Sequence, residues 1–117
     1  MPSLKKVAHN QELFKEYFEA MVKMHPNLRQ GSMFGCPAVY VEDTLAFCVF
    51  ENDLGVKIPA DLATSLIESG TAIRFQPYGK RPMKEWVQLS GGKNSFKPNL
   101  KILSQSVEFV RGIKKPL

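Results

Sequence analysis

Cysteine, histidine and tryptophan are scarce in this chain: two, two and one among 117 residues. Two cysteines exclude a disulfide scaffold, and without an export signal they fit reduced thiols in a cytoplasm. Long apolar runs are missing as well. The longest, Leu45 to Phe50, has six residues, far short of the ~20 that a membrane helix needs. The first ten residues carry two lysines and no apolar segment, so no secretion signal is visible and no membrane contact is expected. Catalytic signatures are also lacking. There is no G-x-S-x-G, no H-E-x-x-H and no paired-carboxylate spacing. "SGGKNS" fails the phosphate-loop pattern, because Val87 stands where its first glycine belongs and Asn94 where its Ser or Thr belongs. The expectation is a non-enzyme without cofactor or metal.

What is present is an ordinary globular composition, 44% hydrophobic and 23% charged, which excludes disordered and fibrous classes. A chain of this length buries roughly two-thirds of its unfolded surface, enough for one core, so a single domain spanning 1–117 is expected. The net charge of +5 is unevenly spread. Residues 31–78 hold two basic and six acidic side chains, whereas 79–117 hold nine basic and two acidic. A C-terminal third this basic can steer toward nucleic acid or simply keep a small protein solvated.

The periodicity gives the order αβββαββα. Asn10 caps a helix from Gln11 to about His25, with Leu13, Phe14, Tyr17, Phe18, Met21 and Val22 as its apolar stripe. Met33–Val41 and Thr44–Phe50 form a hairpin turning at Glu42-Asp43. Leu54, Val56 and Ile58 alternate as a third strand, and Pro59 opens a helix that Gly70 closes. Ile73–Phe75 and Met83–Leu89 are a fourth and fifth strand, and a last helix runs near Ser104 to Lys114. The class is α+β, in two layers: a five-stranded, mainly antiparallel sheet with its helices on one face.

In "GSMFGCPAVYVEDTLAFCVF" the turn brings Cys36 and Cys48 close to facing each other, with a bulge at Gly35-Cys36-Pro37 setting the register and Pro37 on an edge or bulged strand. A redox pair lacks the CxxC spacing and a neighbouring His or Lys in sequence. A zinc site would have to recruit His9 and His25 from other elements. A lone nucleophile needs a histidine placed by the fold. The plainer reading makes both thiols small buried hydrophobes, so the stretch is sheet rather than chemistry.

With Leu45, Phe47, Val49, Leu54, Val56, Ile58, Ile73, Phe75, Val87 and Leu89 turned inward, the opposite face carries Tyr40, Ala46, Cys48, Phe50, Lys57, Arg74, Lys84, Trp86 and Gln88. It is apolar over the hairpin and basic beside one tryptophan. Two classes of function follow for Tyr40, Cys48, Phe50, Lys57, Arg74, Lys84 and Trp86. One is a protein-interaction surface, for a homodimer or another protein partner. The other is a nucleic-acid surface, with Trp86 stacking on bases and the lysines meeting phosphates.

"SMFGCPAVYVEDTLAFCVFENDLGVKI" and "GKRPMKEWVQL" resemble the N-terminal domain of TfoX-type competence regulators, through Met33-Phe34-Gly35, Tyr40, Leu45-Ala46-Phe47, Lys57, Pro82-Met83 and Trp86. Cys36-Pro37 replaces a glycine expected after Met-Phe-Gly. The resemblance implies a stand-alone domain with secretion-chaperone-like architecture, often dimeric, and a regulatory role; in the full-length regulators it implies help in switching on DNA-uptake genes together with the cyclic-AMP receptor protein. It transfers no catalytic residue.

Overall fold

Asn10 opens the first helix as expected: its side chain accepts from the Leu13 N–H, satisfying one of the donors that a helix start leaves unpaired. The structure, a computed structural model, describes residues 9–33, 35–77 and 81–113. In chain order the elements are α1 (Gln11–Met24), β1 (Leu28–Met33), β2 (Cys36–Val41), β3 (Thr44–Phe50), β4 (Asp53–Lys57), α2 (Ala60–Glu68), β5 (Ile73–Arg74), β6 (Trp86–Ser90) and α3 (Phe96–Ile113), with a short 3-10 turn at Lys93–Ser95. The sheet order is β1-β2-β3-β4-β6-β5, and every neighbouring pair is antiparallel. The class is α+β, but the sheet has six strands rather than the five expected. No described helix is long and apolar enough to cross a membrane.

The additional strand is β1. Its sequence, LRQGSM, shows no apolar alternation because only Leu28 is buried while Arg29 to Ser32 face solvent at the sheet edge. The residues assigned to one first strand therefore divide at Gly35, whose φ of 83° suits glycine alone. β2 consequently lies inside the sheet, with Pro37 opposite Ser32, and is not an edge. Two further boundaries move. Met83 to Glu85 lead into β6 instead of belonging to it, and α3 begins at Phe96, well before Ser104. Pro98 sits in the first turn of α3, where its missing N–H costs no helical hydrogen bond.

The bulge also lies elsewhere than expected. Val39 pairs with Phe47 but Tyr40 pairs with Leu45, leaving Ala46 as an extra residue in β3. Ala46 thereby joins Phe47 and Val49 in the helix-side core, and Leu45 turns to the other face. The Ala46 carbonyl, displaced from a regular ladder, accepts from the buried Ser106 hydroxyl of α3 at 3.0 Å. Around this contact α1 contributes Phe14, Tyr17 and Met21, and α3 contributes Leu103, Val107 and Val110, packed on Val39, Phe47, Val49, Leu54, Val56, Val87 and Leu89. Buried Asn99 ties the layers together, donating to the Ser90 carbonyl at 2.7 Å and to Tyr17 Oη at 3.0 Å. The β2–β3 and β3–β4 turns each place a glutamate, Glu42 and Glu51, at φ 57°.

Two outcomes are expected. Ser106→Ala leaves a buried carbonyl without its donor and should cost about 1–3 kcal/mol in chemical denaturation. Burial pushes the Tyr17 phenol above its ordinary value of 10.0, against the opposing hydrogen bond from Asn99. The unfolded chain therefore ionises first, so this contribution is intact below that value and is lost as pH rises through it toward the folded value. Thermal melts should show a downward slope in that alkaline range for the wild type and a shallower one for Tyr17→Phe.

Candidate interaction face and thiol cluster

Successive cross-strand pairs run Gly31–Ala38–Cys48–Gly55–Gln88–Ile73 over all six strands. Ala38 and Cys48 belong to a second apolar cluster, with Cys36, Phe75 and Trp86, to which no helix contributes a residue. The helices thus occupy one face and this row crosses the other. Its small side chains make a trough. A Cβ added at Gly55 would meet Phe75 Cζ at 2.5 Å, and one at Gly31 would meet Tyr40 Cε1 at 2.7 Å, so each glycine is a seat for an aromatic ring. Phe75 lies tilted against Trp86, with centroids 5.7 Å apart, and meets Phe50 edge-on at 6.0 Å. Met33, Tyr40, Leu45 and Phe50 pack round this cluster half-buried.

Phe75, expected in the helix-side core, is instead the keystone of the outer cluster. β5 is only two residues long, so the chain leaves the ladder at Phe75 and the ring folds over Gly55. The same register reverses its neighbours. Ile73, paired with Gln88, is 61% exposed, whereas Arg74, paired with Val87, shares the helix-covered side. Arg74 Nη1 is buried there with no hydrogen-bond partner.

Of the seven residues expected to form one accessible surface, Tyr40, Cys48, Phe50, Lys57 and Trp86 are brought together. Arg74 is turned away by the register of β5, and Lys84 is exposed in the turn before β6. Accessibility also needs correcting. Cys48 is wholly buried and Trp86 is 7% exposed, with Phe75 seated over Gly55 and against the Trp86 ring. Lys57 Nζ stands 5.8 Å from the Trp86 ring centre and pairs with Glu85 at 3.1 Å. Trp86 is therefore packed between protein groups and is no open platform for a base. Tyr40 donates its hydroxyl to the Ser32 carbonyl at 2.8 Å, with the Arg29 guanidinium 5.1 Å from its ring centre.

The cysteines are diagonal rather than opposite: Cys36 pairs with Met33 and Cys48 with Ala38. Both are free and buried. Interaction with the neighbouring Cys36 thiol, and then burial, push the Cys48 thiol far up, so Cys48 keeps its proton. The fold also brings in His9, which sequence spacing had left remote. Its Nδ1 accepts from the Glu51 N–H at 2.8 Å, its Nε2 lies 3.6 Å from Cys36 Sγ, and its ring packs on Phe50 at 5.3 Å between centroids. The Asn10 N–H adds a hydrogen bond to the Glu51 carbonyl at 2.9 Å. With Nδ1 accepting, the neutral ring carries its proton on Nε2, aimed at the sulfur. This donor to Cys36 stabilises negative charge on its sulfur. Among the described residues no group of three or more His, Cys, Asp or Glu side chains is placed to hold a metal ion.

Comparison of the chain with family models, with curated proteins and with solved structures finds no match.

The ring-over-glycine contact makes a quantitative demand. Gly55→Ala should lose about 1–3 kcal/mol by overpacking against Phe75. In Gly55→Ala/Phe75→Ala the two losses should fall short of additive, because the second change removes the clash; full additivity in denaturant melts would refute the contact.

Proposed function

We propose that this chain is a non-enzymatic regulatory interaction module, of the kind the N-terminal domain of TfoX-type competence regulators forms, and that it self-associates through the helix-free face of its sheet. The observation that carries the reading is the apolar character of that face. Met33, Tyr40, Leu45 and Phe50 lie half-buried around the trough, and Ile73, at the end of the row that crosses it, is 61% exposed. Uncovered apolar groups arranged along one face are what a protein contact uses, with Lys57 and Lys84 supplying a polar rim. The sequence resemblance supports a regulatory role in a cytoplasmic setting. Burial of Trp86 weighs against the nucleic-acid alternative, which needs exposed rings in line.

Light scattering across a concentration series tests this. The wild type should reach the mass of a dimer, and Ile73→Ser should remain monomeric with an unchanged melting temperature, since this side chain faces solvent. A wild type that stays monomeric at every concentration would sink the self-association reading. Binding of a mixed-sequence oligonucleotide that weakens steeply with salt would put the nucleic-acid reading in its place.

A further inference from the structure

We propose that Cys36 and Cys48 form a redox-modification site, in which a peroxide oxidises Cys36 and Cys48 resolves it to an intramolecular disulfide. This goes beyond the interaction reading and does not depend on it. Buried cysteine is ordinarily inert, and three features set this pair apart. The thiols lie diagonally on neighbouring strands and are packed in the same buried cluster on one face. The Cys36 sulfur receives the His9 Nε2–H, whose tautomer the Glu51 N–H fixes. The two cysteines are also unequally sheltered. His9, against Cys36, is half-exposed and belongs to a segment tied down at Glu51, whereas Cys48 lies in the middle row of the sheet beside Gly55, under the trough that Phe75 fills. Small local openings beside the half-exposed His9, with its ring kept in place by Glu51, admit peroxide to Cys36 without unfolding the sheet.

The chemistry balances with hydrogen peroxide as oxidant. The Cys36 sulfur attacks one peroxide oxygen; an S–O bond forms, the O–O bond breaks, and the departing hydroxide leaves as water with the thiol proton. The Cys48 sulfur then attacks the Cys36 sulfenic acid. An S–S bond forms, the S–O bond breaks, and the second water carries away the Cys48 proton. Two thiols are oxidised by two electrons and one peroxide is reduced to two waters. His9 acts as a positioning residue, holding its N–H toward the Cys36 sulfur and stabilising the thiolate formed as the thiol gives up its proton before the attack.

The test treats the folded full chain with hydrogen peroxide and follows intact mass and free thiols. Both thiols should disappear together, the mass should fall by two hydrogens, the chain should stay single on a non-reducing gel, and dithiothreitol should restore it. Cys48→Ser should stop at the sulfenic acid, trapped by dimedone on Cys36; Cys48→Ala is the alternative if the serine variant does not fold. His9→Phe keeps the packing on Phe50 but lacks the N–H, and should oxidise about tenfold more slowly, the loss expected for one hydrogen bond to a reacting sulfur. If His9 were only a cover, the same change would accelerate oxidation and overturn its assigned role. Thiols that survive excess peroxide until denaturant is added, a disulfide linking two chains, or Cys36→Ser leaving Cys48 oxidised at the wild-type rate would each overturn the site.

Discussion

The extra residue at Ala46 decides which side of the sheet the first hairpin presents. Side chains alternate strictly along a strand, so one inserted residue exchanges the faces of everything beyond it. Phe47 and Val49 pack under the helices while Cys48 and Phe50 face the other way, and past the insertion Leu45 rather than Ala46 joins Tyr40 outside. The insertion is held by Ser106, whose hydroxyl on α3 occupies the displaced carbonyl. A hydrogen bond buried between helix and sheet thus stabilises the pattern on the far side of that sheet. The trough, its aromatic filling and the placement of both thiols follow from it.

Much of the fold was legible in the sequence because it rests on local signals. Asn10 and the stripe through Phe14, Tyr17 and Met21 mark α1, Pro59 marks the entry to α2, and Glu42-Asp43 marks the first hairpin turn. β1 was illegible because an edge strand with solvent on both faces has no alternation to read. The early start of α3 was hidden by "KNSFKPN", whose composition is that of a loop, although its proline falls in a helical first turn.

The outer face was legible in outline and wrong in depth. Alternation correctly sent Cys48, Phe50, Lys57 and Trp86 to one side, but it treated that side as a surface. Alternation is silent about a residue that folds back over the sheet, and Phe75 does so because Gly55 leaves room for it. The available signal was the glycine itself, in the middle of an otherwise apolar strand. His9 was beyond reach of sequence reasoning, since its contacts with Cys36 and Glu51 span 27 and 42 residues. Only the assembled sheet brings that part of the chain over the second hairpin tip.

That tip has a mechanical meaning. Glu51 uses its amide to grip one ring nitrogen of His9 and its carbonyl to grip the backbone of Asn10, while the other ring nitrogen rests on a sulfur. The imidazole is in effect a rigid spacer of fixed width between a loop apex and a cysteine. A rearrangement of the apex cannot leave the ring where it is, and a ring that moves changes what the sulfur touches. A disturbance at the rim of the sheet, beside the start of α1, therefore has a direct path to an atom sealed inside it.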